Sequence, residues 1–198
     1  MISNSELKGA IVSKKFDDFN AEDRVGVKLL ESHTFYLSGE IDEDLVNECI
    51  RWIIYENLED NKDKRLTLYI NTTGGDLYHA FALVDMMKNS QFPIRTIGIG
   101  AVMSAGFLVF AAGTKGERYA ARNTSFMCHQ YSDSFSGKHH DIKASMKEGE
   151  SFNQKMIDLL QEATGLTRAK IRSKLLPASD VYLDAKEVLE LGVADHIL

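Results

Sequence analysis

The chain is poor in the residues that staple or divide a protein. It has two cysteines, Cys49 and Cys128, and no Cys-x-x-Cys pair. That excludes a disulfide framework and a cysteine zinc site, and makes reduced thiols the expectation. It has two prolines, Pro93 and Pro177, and no Gly/Ser tract, so no linker interrupts it. It lacks a basic excess: the net charge is −6, which argues against a nucleic-acid grip. No stretch approaches the ~18 apolar residues of a membrane span. The opening "MISNSELKGAIVSKKFDDFN" has no apolar core of a secretion signal. A cytoplasmic protein with no membrane and no nucleic-acid partner is expected. What remains is ordinary globular material, 198 residues that are 44% hydrophobic, enough for one sizeable core.

Strand and helix signals alternate along it. Residues 1–25 are polar and mixed in charge and read as an arm. "HTFYLSGEI" (33–41) is β-rich. In 42–60 the residues Leu45, Val46, Cys49, Ile50, Ile53 and Ile54 recur at the helical period, with Asp42 or Asp44 to cap the start. "RLTLYINT" (65–72) is a short buried strand, "TGGD" a turn, and "LYHAFALVDMMKNS" a helix. "IRTIGIG" (94–100) is a strand that runs into the apolar helix of "GAVMSAGFLVFAAG". "ERYAA" and "TSFMCH" read as strands about a turn at Arg122-Asn123. Residues 141–165 form a long amphipathic helix with stripe Ile142, Met146, Phe152, Met156, Leu159, Leu160 and Ala163, and Gly165 suits its C-terminal cap. A short helix ("TRAKIRSKLL"), a short strand ("VYL") and a last helix ("DAKEVLELG") follow, the last with Asp184 as N-cap or capping box with the glutamate three residues on. The alternation predicts parallel βαβ units, with chemistry where strands feed helix N-termini.

Two such junctions stand out. Ser104 lies at the seam of "GAVMSAG", where a serine is most often a helix cap. The same place favours negative charge, and the Ala105 N–H is a candidate donor to a developing oxyanion. In "NTTGGD" one glycine is accounted for by a tight turn. The pair Gly74-Gly75 also lets backbone approach a ligand, with the Gly75 N–H as a second donor. A nucleophilic serine needs a base. His129 closes the strand "TSFMCH", whereas His139 and His140 sit in a charged loop, and His33, His79 and His196 lack a comparable placement. A carboxylate must hold the imidazole tautomer; composition alone does not choose among the many acids.

Three stretches in order, "YINTTGGDLYHAFALVDMM", "GAVMSAGFLVFAAGTKGERYAARNTSFMCHQ" and "LDAKEVLELGVAD", resemble the proteolytic subunit of the Clp protease, the ClpP family of serine peptidases. The resemblance runs from about Lys28 to Leu198 and divides the chain into an arm (1–27) and a single peptidase domain (28–198). It implies an α/β fold of the ClpP/crotonase type, a spiral of ββα units with helix 141–163 projecting as a handle. It implies Ser104 as nucleophile, His129 in a short "HQ" motif as base, Asp180 as the third member of the triad, and Gly75 and Ala105 as oxyanion donors. Gly74, Gly75, Tyr131 and Ser132 fall where the family binds substrate. It further implies a serine endopeptidase cutting unfolded proteins and short peptides, a heptameric ring, stacking of two rings into a chamber, a Clp-type ATPase unfoldase as partner, and no metal or organic cofactor in this subunit.

The departures are specific. Thr72-Thr73 replaces the family's Ser-Pro, Ala105 its methionine, and Tyr131 a proline. "SDSFSG" stands where a glycine-rich segment binds peptide backbone and joins rings. At the surface that takes the ATPase, Tyr69 and Tyr119 remain but Thr67 and Ala121 are smaller than the family norm. The alternatives are a crotonase-like acyl-CoA enzyme, which has no need of Ser104, His129 and Asp180 together, and a non-catalytic ring subunit of a mixed assembly.

Overall fold

The computed structural model describes residues 20–58 and 64–198. They belong to two units, one up to Thr34 and one from Phe35 to Leu198. The first contains helix α1 (Ala21–Glu31), where the sequence reading expects only a polar arm. Its apolar residues include Val25 and Leu30, exposed at 60% and 46%, and the half-buried Val27 and Leu29. Residues 1–19 of the expected arm, and the end of the helix expected over 42–60, lie outside the described residues.

The strands are β1 (Thr34–Ile41), β2 (Leu66–Gly75), β3 (Ile94–Met103), β4 (Arg118–Ala120), β5 (Ser125–Cys128), β6 (Val181–Leu183) and β7 (His196–Ile197). The helices of the second unit are α2 (Glu43–Asn57), α3 (Leu77–Lys88), α4 (Ala105–Ala111), α5 (His139–Thr164), α6 (Arg168–Lys174) and α7 (Ala185–Glu190). The sheet runs β1-β2-β3-β4-β7, with β5 also on β3 and β6 on β5. This is the expected α/β architecture. β3 pairs parallel with β2, and then with β4 along its first half and β5 along its second. The expected parallel pairing is found for β2–β3, β3–β4, β3–β5 and β4–β7, whereas β5 and β6 are antiparallel.

The capping residues read from the sequence mark the helix ends. Asp42, not Asp44, caps α2 by accepting from the Leu45 N–H at 2.9 Å. Asp184 forms a capping box with Glu187 at the start of α7. Gly165 takes the left-handed conformation that ends α5, at φ 74°. α4 has no polar side chain and all seven of its residues are buried, as a helix apolar all round must be. It lies against β2, β3, α3 and α5.

Two further features shape the ground around the site. Between Ile70 and Thr72 the β2–β3 register slips, from Ile70 opposite Gly98 to Thr72 opposite Val102. β3 therefore bulges, with Gly100 at φ 60°, and the Asn71 Oδ1 accepts the Ala101 N–H at 3.1 Å to hold the bulge. Arg118, 1% exposed, makes a two-pronged pair with Asp195 (2.8 and 2.7 Å) and donates to the Ala163 carbonyl near the end of α5 at 3.0 Å. That gives Asp195, for which the sequence suggested no role, the task of fixing the C-terminal segment to β4.

Candidate active site

β3 delivers Ser104 to the head of α4. Its backbone has φ 52° and ψ −120°, the values of the first central residue of a II′ turn, which glycine usually fills. A serine held there stores roughly 1–3 kcal/mol of strain, and such outliers gather at functional sites. The Ser104 N–H donates to the Met127 carbonyl at 2.8 Å, so the strained residue is pinned to β5. Ser104 occupies the N-cap position of α4 but makes no capping hydrogen bond. Its Oγ lies 2.8 Å from His129 Nε2 instead. The parallel register of β3 and β5, Met103 opposite Met127, carries both residues past the same end of the sheet, which is how 25 residues of separation become one contact.

His129 Nδ1 faces the carbonyl oxygen of Gln130. A carbonyl only accepts, so in this arrangement Nδ1 carries the proton and neutral Nε2 accepts from the Ser104 hydroxyl. That is the tautomer a general base requires. Gln130, which the sequence reading left without a role, is further tied down by its own side chain, donating to the Leu176 and Pro177 carbonyls at 3.0 and 3.1 Å. Cys128, next to His129, is buried with its Sγ donating to the Leu175 carbonyl at 2.8 Å. Burial pushes its thiol up to about 12, so it stays protonated and offers no competing nucleophile.

Asp180 is exposed and immediately precedes β6. In the antiparallel register Cys128 lies opposite Val181, so His129 and Asp180 are the residues that follow the last rung of the ladder. The Nδ1 bond in this conformation nevertheless goes to Gln130.

Gly74 and Gly75 form the other wall. Gly74 has φ 108°, and a Cβ there would lie 2.8 Å from the Ser104 Cβ and 3.2 Å from the Ala105 nitrogen. Only glycine lets the turn approach the serine so closely. A Cβ on Gly75 would collide with the backbone of Ile41 at the end of β1. Ala105 is the first residue of α4, so its N–H has no acceptor within the helix.

A cleft of about 170 Å³ runs past these groups, lined by Gly75, Ser104, His129, Gln130, Tyr131 and Ser132 among others. The sequence candidates Gly75, Ser104, His129, Tyr131 and Ser132 thus share one cavity, with Gly74 buried beneath it and Ala105 behind it. Tyr131 is anchored. Its ring stacks on Phe152 at 5.3 Å and lies where a side chain on Gly149 of α5 would be. Its N–H donates to Asn153 Oδ1 and its hydroxyl to Asp133 Oδ2, at 2.8 and 2.7 Å. The bond to Asp133, with burial second, pushes the Tyr131 hydroxyl up to about 12, while Asp133 is held below the usual carboxylate range. Asp133 and Gln130 could have been found from their nearness to the "HQ" motif; the fit of Tyr131 to Gly149 has no sequence signal.

Among the described residues no three His, Cys, Asp or Glu side chains gather as a metal-binding group, and no helix is long and apolar enough to cross a membrane.

A family model described as Clp protease matches residues 19–198. The ATP-dependent Clp protease proteolytic subunit 2 of Bacillus licheniformis is 30% identical over 171 residues, covering 86% of this chain and 88% of its own. Subunit 1 of Corynebacterium jeikeium is 31% identical over 179 residues, 90% of this chain and 94% of its own, and subunit 2 of Rhodococcus jostii is 30% identical over the same number.

Proposed function

The chain belongs to the Clp protease family, and from that premise we propose that it is a serine endopeptidase subunit whose nucleophile is Ser104 and whose base is His129. The observation that carries this reading is the strained Ser104 with its Oγ 2.8 Å from His129 Nε2. A crotonase-like acyl-CoA enzyme has no use for that pair.

The reaction is acyl transfer to water. His129 takes the Ser104 proton through Nε2 as Oγ attacks the peptide carbonyl. The N–H groups of Gly75 and Ala105 receive the oxyanion. The imidazolium gives its proton to the leaving amine, and water releases the acyl-enzyme by the same steps. Asp180 is the group proposed to stabilise the imidazolium; its place, with His129, just past the last rung of the β5–β6 ladder supports this, and the Gln130 carbonyl holds Nδ1 in the resting state. Tyr131, Ser132 and Gly74-Gly75 are proposed to border the bound peptide, as lining or underlying the cleft suggests.

The subunit is proposed to act in a heptameric ring, alone or stacked in pairs, in the cytoplasm, fed with unfolded protein by a Clp-type ATPase. The face proposed to receive the ATPase is a row across the sheet, Tyr69, Ile97, Tyr119 and His196, each paired with the next. Arg95 covers the Tyr119 ring at 4.9 Å and pairs with Glu117, which leaves little aromatic surface open.

Hydrolysis of a fluorogenic peptide by the wild type, and its loss in Ser104→Ala with assembly retained, is the expected result. Wild-type rates in Ser104→Ala would overturn the mechanism.

A further inference from the structure

The Thr72 side chain touches both halves of the proposed oxyanion site. It is 3% exposed, two residues before Gly74. Its Oγ1 accepts the Gly74 N–H at 3.0 Å and donates to the carbonyl of Gly39 in β1. The hydroxyl therefore ties the Gly74-Gly75 turn to β1, through a buried bond to Gly74 and a part-buried one to Gly39. Its methyl faces the other way. A Cβ placed on Gly106, the second residue of α4, would collide with Thr72 Cγ2. The head of α4 is therefore seated directly on this methyl. One of the two proposed donors belongs to each half: the Gly75 N–H to the turn, the Ala105 N–H to the helix.

We infer that Thr72 is a positioning residue for this reaction, setting the separation and direction of the Gly75 and Ala105 N–H groups through its hydroxyl and its methyl respectively. The inference rests on the proposed peptidase function. It also gives Thr72 a meaning apart from Thr73, which is exposed and makes no such bridge. Oxyanion donors act on charge that develops only in the transition state, so a displaced donor lowers kcat and leaves KM nearly alone. A misplacement of about 1 Å costs on the order of 10²-fold.

The test measures kcat and KM for a fluorogenic peptide, and the inhibition constant of a peptide boronate, which forms a tetrahedral adduct on serine. Thr72→Val keeps the shape and removes the hydroxyl. It should lower kcat by roughly 10- to 100-fold and weaken the boronate in parallel, with KM little changed. Thr72→Ser keeps the hydroxyl and loses the methyl, so it should fall between Thr72→Val and the wild type in both, and Thr73→Val should match the wild type. A second route does not depend on Thr72→Val folding. Gly106→Ala pushes against the Thr72 methyl and should lose kcat, and Thr72→Ser in the same chain, by making room, should recover it. Equal kcat in wild type and Thr72→Val, no recovery in the Gly106→Ala/Thr72→Ser chain, or losses confined to thermal stability would overturn the inference. A wild type that neither cleaves peptide nor reacts at Ser104 would instead overturn the peptidase reading, and this inference with it.

Discussion

At the scale of single residues, the two side chains proposed to be catalytic were legible and the groups that hold them were not. Ser104 and His129 stand at strand ends, but the local signal alone is as compatible with a helix cap and a surface histidine, and the resemblance of the three ordered motifs is what singled them out. The Gln130 carbonyl at Nδ1 and the Thr72 bridge depend on register and on backbone atoms, which no residue type announces. Gly74 is expected to tolerate no side chain. Gly74→Ala combines a φ of 108° with a Cβ 2.8 Å from that of Ser104, and should abolish peptide hydrolysis and lower the melting temperature. Asp180→Asn tests the third triad member. Turnover should fall by up to about 10⁴ with folding intact; a wild-type rate would mean that the Gln130 carbonyl alone suffices. Asp195 gives a pH prediction. Burial opposes its ionisation, but Arg118 and the Gly116 and Arg118 N–H groups outweigh this and hold its carboxyl below the ordinary range. A depressed folded-state pKa contributes stability that is complete above the unfolded value of about 3.9 and is lost as pH falls through the folded value. Asp195→Asn leaves the guanidinium buried and unpaired, so it should cost about 3–5 kcal/mol at neutral pH. In thermal melts its deficit should shrink as pH drops below about 4; a deficit independent of pH would contradict the pairing argument.

At the scale of elements, period and punctuation did most of the work. The capping residues Asp42, Asp184 and Gly165 mark helix ends as read, since caps are chemistry between near neighbours. The strand expected over 94–100 runs on to Met103, because Gly98 and Gly100 read as its end but serve a bulge inside it. The helix expected from 141 starts at His139, and α1 lies across the end of the stretch read as a polar arm. α5 carries the clearest consequence. Of its buried residues, Phe152, Met156, Ile157, Leu159 and Leu160 lie in its second half, and Gly149 alone lies in the first. Its first half keeps the same stripe, yet Met146 is 54% exposed. An apolar stripe that continues past the core is surface for another chain. Met146→Glu should therefore leave the secondary structure by circular dichroism unchanged and shift light scattering toward smaller particles. An unchanged particle mass would show that α5 does not join subunits.

At the scale of the molecule, the α/β class followed from the alternation of strand and helix, and the antiparallel β5–β6 pair did not, because its partners lie far apart in sequence. That pair places Asp180 and His129 just beyond its last rung, so the least local part of the fold underlies the proposed role of Asp180. Thr67 lies in register with Arg95, which covers Tyr119, so the face proposed for the ATPase is small and partly occupied. Few large anchors mean weak docking. Stimulation of protein degradation by a standard Clp ATPase is expected to be slight, and tight stimulation in a degradation assay would contradict this. The central claim is that Ser104, bent into its strained turn and bonded to His129, is an activated nucleophile. Mass-spectrometric mapping of the adduct formed by a fluorophosphonate on the assembled protein tests it most directly. The account predicts a single adduct on Ser104 that disappears when His129 is replaced by alanine; a folded, assembled protein that forms no adduct, or forms it on another residue, would contradict it.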